Sequence, residues 1–159
     1  MNAAVPIIRQ ADDGERLVWA GGGVLTLKAT AEETAGAILM LEFLGERGKV
    51  TPLHVHPAED EGIYVVEGAL LVHVDGKEHH VGPGGVFVCP RGVPHAFKVV
   101  SESARLLSWQ TPASGEPFYR QASDPATAGV GQSHPPDWAR LREVAAHSAS
   151  IELLGPAPF

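Results

Sequence analysis

Residues 48–68 read GKVTPLHVHPAEDEGIYVVEG, and residues 84–99 read GGVFVCPRGVPHAFKV. In an extended strand successive side chains alternate between faces, so His54 and His56 point one way and Val55 the other. Pro57 and the run Ala58-Glu59-Asp60 read as a turn. Glu61 then opens a second apolar strand, Ile63-Tyr64-Val65-Val66, able to fold back beside the first. His95 follows Pro90-Arg91-Gly92-Val93-Pro94, another turn-rich stretch leading into a strand. The imidazoles of His54, His56 and His95 and the Glu61 carboxylate are good ligands for one divalent transition metal. Facing an apolar interior without an ion, these polar groups would need other partners.

Working outward, short apolar runs alternate with turn signals along the first two thirds of the chain. Val5 to Gln10 reads as an edge strand with Pro6 near its start. Arg16 to Ala20 and Val24 to Thr30 pair across Gly21-Gly22-Gly23, and Ala37 to Leu44 is strongly apolar. Leu70 to Val74 and Lys77 to Val81 flank Asp75-Gly76, a strong hairpin signal. Val86 to Val88, Ala96 to Val100 and Arg105 to Gln110 complete the set. Strands at this spacing predict an antiparallel sandwich or barrel. Thr111 to Pro136 is rich in Pro, Gly, Ser and Ala and reads as an irregular arm. Trp138, Leu141, Val144 and Ala145 then recur at helical spacing, with Asp137 as an N-terminal cap.

Composition narrows the classes. A chain of 159 residues with 18 Gly and 13 Pro suits one domain of short strands and tight turns. A formal net charge of −7 argues against nucleic acid as a partner, because phosphate binding needs a basic face. No window approaches the about 18 apolar residues of a membrane span. The start, Met1 to Pro6, lacks the basic and apolar regions of a secretory signal, and the single Cys89 excludes an internal disulfide, so a cytoplasmic location is expected.

The glycines around the ligands sharpen the reading. Gly48, His54, His56, Glu61 and Gly68, then Gly84, Pro90, Gly92 and His95, fall at the spacing of two motifs that resemble those of the cupin superfamily. The second motif departs at its last position, where the usual Asn is Val99. The resemblance implies an all-β fold, a cupin double-stranded β-helix or jelly-roll barrel, over residues 1–112. Residues 113–159 are then a C-terminal arm with a short helix, packed on the barrel or on a partner subunit. Within the superfamily the chain is similar to single-domain bacterial quercetin 2,3-dioxygenase-like proteins. Arg91 to Phe97, Pro117 to Arg120, Arg140-Leu141 and Ile151 to Pro156 carry that likeness.

The resemblance implies a metal-dependent dioxygenase acting on a flavonol-like or other enolic aromatic molecule, with dioxygen as co-substrate. His54, His56, Glu61 and His95 would hold Fe, Mn, Co, Ni, Cu or Zn, and Glu61 would double as catalytic base. Strand alternation brings Phe97 and Val99 to the face of His95, and Ile63 and Val65 to that of Glu61. Met40 or Leu41, with Phe43, lies on a neighbouring strand and Trp109 on a later one, which makes the expected substrate pocket largely apolar. A metal-dependent isomerase or polyketide cyclase, or a small-molecule-binding cupin without turnover, would use the same ligands. A homodimer is expected, through the N-terminal strand or the tail around Trp138. Cys89 reads as a small buried apolar residue, and Glu59 with Asp60 as a solvated acidic corner. His73, His79, His80, His134 and His147 read as solvated, and Arg91 either as exposed charge or as a holder of an anionic substrate.

Overall fold

The computed structural model describes residues 5–127 and 134–159. Residues 1–4, at the apolar start, and 128–133, in the Pro- and Gly-rich stretch, lie outside the described residues. The strands are β1 (Glu15–Trp19), β2 (Val24–Ala29), β3 (Leu39–Glu46), β4 (Leu53–Val55), β5 (Asp60–Glu67) and β6 (Leu70–Val74). They continue as β7 (Lys77–Val81), β8 (Val86–Cys89), β9 (His95–Val99), β10 (Ser103–Thr111), β11 (Ser123–Pro125) and β12 (Glu152–Gly155). Among the described residues two helices, α1 (Glu116–Gln121) and α2 (Trp138–Ala146), lie in the last third.

All pairings are antiparallel and form two sheets. The larger runs β11-β1-β2-β3-β10-β5-β8 and the smaller β12-β4-β9-β6-β7. This is the two-layered, β-rich architecture of a jelly roll. Each sheet turns one face inward, and the period-2 pattern is plain in β3, where Leu39, Leu41 and Phe43 are buried and Met40, Glu42 and Leu44 only partly so. Leu27, Leu70, Val72, Val99 and Leu106 join them in the core. The fully buried leucines each contribute about 1.5–3 kcal/mol through removal of apolar surface from water.

The turns follow their residues. Asp75 and Gly76 both have positive φ, 50° and 70°, which gives the tight twisted turn that joins β6 to β7. Gly68 has φ +82°, and a Cβ there would lie 2.2 Å from the Ser103 carbonyl oxygen and 2.8 Å from Ala104 Cα. Both neighbours are backbone and cannot swing aside. Gly68→Ala is therefore expected to destabilise the fold by more than about 1 kcal/mol, read as a lower urea midpoint at unchanged slope.

Three features depart from the sequence expectations. Val5 to Gln10 forms no strand, since Pro6 lacks a donor and Val5 and Ile8 are exposed with nothing to bury against. Arg9 instead ties this segment to Glu33 and to the Lys28 carbonyl. The stretch after Thr111 is also less irregular than its composition implies. It holds α1, with Pro117 in the first turn where a missing N–H costs little. The short strands β11 and β12 add to β1 and β4 respectively, so the C-terminal segment extends both sheets. α2 begins as expected, with the Asp137 carboxylate accepting from the Arg140 N–H at 3.0 Å.

Candidate metal centre

His54 sits on β4, His56 just beyond it, and His95 opens β9, directly opposite His54 in register. Glu61 is the second residue of β5, in the other sheet. The cluster therefore bridges the two layers at one end of the barrel. One ligand atom from each of the four residues lies within 4.8 Å of the others. Their exposures are 6%, 3%, 5% and 1% for His54, His56, Glu61 and His95, so water does not satisfy them.

The backbone fixes the ring orientations. Nδ1 of His54 donates to the Pro52 carbonyl at 2.9 Å, Nδ1 of His56 to Ser150 at 2.8 Å, and Nδ1 of His95 to Val93 at 2.9 Å. A carbonyl only accepts, so each Nδ1 carries the proton and each Nε2 is turned toward the centre. Metal-binding histidines are oriented in this way by partners on the other ring nitrogen. The His95 Nε2 lies 2.8 Å from Glu61 Oε2, whereas the buried His56 Nε2, 3.6 Å from the same oxygen, has no hydrogen-bond partner among the described residues. An unpartnered buried nitrogen in a ring of ligand atoms fits a divalent cation.

Electrostatics divide the imidazoles. Burial, with repulsion from His95, lowers His54 to about 3, so it is neutral. Burial also opposes charge on His95, but Cys89 and Glu61 beside it prevail and raise it to about 10. His56 is raised as well, because Glu61 outweighs its burial. Burial favours a neutral Glu61, yet His56 and His95 hold its carboxyl well below the usual range. Without a cation, the carboxylate is thus stabilised by imidazolium charge.

Sequence reasoning missed several residues around this cluster. Gln110, 1% exposed on the inner face of β10, donates to Glu61 Oε1 at 3.2 Å and to Tyr119 Oη at 3.1 Å. The inward parity of Leu106 and Ser108 carried the signal for Gln110, while Tyr119 reaches in from α1. Burial, with Glu61 and Glu59 nearby, raises the Tyr119 phenol well above its ordinary value. Glu59 corrects the expectation of a solvated corner: it is fully buried, with one oxygen on the Ser114 hydroxyl and the other unpartnered. Asp60 is clamped by Arg91, whose Nε and Nη2 donate at 3.1 and 2.9 Å. That pair is exposed and contributes little beyond positioning the loop before β9.

A cavity of about 80 Å³ opens from His54 and Glu61 into the barrel. Phe43, Ile63 and Phe97 line it, as do Leu41 and, from the C-terminal third, Phe118, Tyr119, Leu141, Ile151 and Leu153. Val65 and Val99 are fully buried but do not line it. Met40 and Trp109 face each other across β3 and β10 on the outer side of the sheet, because the inward parity belongs to Leu41 and Ser108. His73, His79 and His80 lie on the β6–β7 hairpin away from the cluster, and His134 Nε2 bonds to the Gly23 carbonyl at 2.7 Å. No helix among the described residues is long and apolar enough to cross a membrane.

Comparison with known proteins places these features. Residues 41–110 match the Cupin domain family. Quercetin 2,3-dioxygenase of Bacillus subtilis (strain 168) is 29% identical over 124 residues, 78% of this chain and 36% of that protein. Polyketide synthase CurC of Streptomyces cyaneus is 30% identical over 98 residues, 61% of this chain and 64% of that protein. The chain thus spans about a third of the first relative's length and under two thirds of the second's. The solved structure of an RmlC-like cupin from Shewanella frigidimarina superposes with a TM-score of 0.61 at 22% identity, over 70% of this chain and 94% of that one.

Proposed function

We propose that the chain, whose residues 41–110 match the Cupin domain family, is a metal-dependent enzyme of the quercetin 2,3-dioxygenase kind, acting on an enolic aromatic small molecule. The observation that carries this reading is the convergence of three Nε2 atoms and one carboxylate at the head of an apolar cavity. His54, His56, His95 and Glu61 would hold the ion, leaving one or two positions open for substrate. A bound divalent metal would supply Lewis acidity and, if redox-active, a path for electrons to dioxygen.

The protein's own groups do the rest. Glu61 accepts the enol proton as substrate arrives. Gln110 grips Oε1 of that carboxylate and leaves Oε2 turned to the histidines. The apolar walls exclude water from the deprotonated substrate. Sites for drug-sized ligands measure about 300–1,000 Å³, so a flavonol in this cavity requires the wall formed by Phe118, Leu141 and Leu153 to draw back. A homodimer and a cytoplasmic location belong to the same reading.

Oxygen uptake by metal-reconstituted protein, followed together with bleaching of the visible band of a flavonol, tests the activity. Assayed at saturating metal, Glu61→Gln is expected to cut turnover by about 10²-fold or more through loss of the base, beyond any weakening of metal binding. Unchanged turnover would remove Glu61 from the chemistry. The similarity to Polyketide synthase CurC favours a second reading, a metal-dependent isomerase or polyketide cyclase. Turnover of an enolic substrate without oxygen uptake would select it.

A further inference from the structure

The cavity has a second polar end. Residues 49–54 run beside β9: the Val99 N–H donates to the Lys49 carbonyl at 2.8 Å, the Thr51 N–H to Phe97 at 2.9 Å, and His54 stands opposite His95. Lys49 is therefore displaced from the histidines by about four strand residues, on the order of 13 Å. Its side chain lines the cavity, with Nζ 5.8 Å from the Phe43 ring centroid.

This ammonium lacks a counter-charge. Nζ donates to the Gly21 carbonyl and, at 3.1 Å, to the Val50 carbonyl. Those are its partners among the described residues, and no carboxylate there lies within ion-pair distance, which leaves one of three N–H donors unused. Lys49 is half-buried and also lines a surface groove beside Gly22, and desolvation pushes its ammonium down to about 7. A cation held among apolar walls without an anion is costly, and an oxyanion arriving with a ligand would compensate it.

We propose that Lys49 is the far anchor of the substrate site and takes a carboxylate or phenolate oxygen from a molecule whose enol lies at the histidine end. The assignment rests on the metal reading of the cluster and narrows the substrate to a compound acidic at both ends. The alternative is that Lys49 only tethers the Gly21 turn.

Calorimetric titration of zinc-loaded protein with benzohydroxamate, its para-carboxylate and its para-carboxamide separates the two. Each probe chelates through the hydroxamate and points its para group away from the metal. The carboxylate is expected to bind at least about tenfold more tightly than the carboxamide, and the ratio to fall within about twofold in K49M. Equal binding of the two by the unaltered protein overturns the Lys49 assignment and leaves the metal reading standing. Failure of the protein to take up zinc before the titration overturns the metal reading and the assignment with it, whereas zinc uptake with binding of none of the three overturns the assignment alone. If K49M does not fold, the comparison in the unaltered protein decides alone. A lowered Tm in K49M with the ratio unchanged reduces Lys49 to a tether.

Discussion

A His54→Ala variant is expected to keep the barrel and lose the metal. His54 is the candidate ligand best suited to this test. It is held neutral, with its pKa lowered to about 3, and makes neither of the imidazole contacts to Glu61, which come from His95 and His56. Its Nδ1 partner is the Pro52 carbonyl two residues away, so no long-range tie is cut. Truncating His95 would instead remove the 2.8 Å partner of a buried carboxylate and confound metal loss with unfolding. Loss of a mere supporting partner costs about 10–100-fold in metal affinity, so loss of a ligand should exceed about 10²-fold. Metal content after dialysis measures this directly. A metal at 1,000 times its Kd stabilises the folded state by about 4 kcal/mol, so the parent melts higher with zinc and the variant scarcely responds. Stoichiometric metal in the variant would end the four-ligand interpretation.

The second large effect is proton release. With His95 raised to about 10, its imidazole is protonated at pH 7 in the metal-free protein, and a metal must displace that proton. Binding heats at pH 7 should therefore vary with the ionisation enthalpy of the buffer, corresponding to about one proton per ion. Affinity should rise about tenfold per pH unit between 7 and 10. Metal-free stability runs the other way. The raised His95 contributes fully below its ordinary 6.5, and that contribution fades as pH climbs through about 10. The depressed Glu61 contributes above its ordinary 4.5, and its share is lost as acid protonates the carboxylate. The metal-free protein should thus be most stable between these values and melt progressively lower in alkali. Buffer-independent heats at pH 7 would show that His95 carries no proton to release.

The convergence of His54, His56 and Glu61 was legible because their spacing along the chain is local. One intervening residue puts His54 and His56 on one face, and the turn at Pro57 delivers Glu61 to the facing sheet. Hairpin chemistry at Asp75-Gly76 was equally local. Parity was harder to read: Met40 and Leu41 differ by one residue, and only the registry with β10 selects Leu41 as the inward one. Glu59 was misread because an acidic run just after Pro57 looks like a solvated turn, whereas Ser114, far along the chain, donates to its buried carboxylate. Contacts between sequence-distant segments leave no periodic trace, and so Ser150 on His56 and β12 on β4 emerged only with the fold.

The Ser150 carbonyl accepts from His56 Nδ1 across 94 positions of chain, and the neighbouring Ile151 and Leu153 wall the cavity. Peeling this segment from β4 would therefore do two things in a single movement: uncover a doorway to the barrel interior, and free an imidazole to rotate or switch tautomer. If the proposed ion is held there, admission of a bulky guest and slackening of its grip would be mechanically one event, and hydrogen exchange at Glu152 to Gly155 should quicken when the metal is withdrawn.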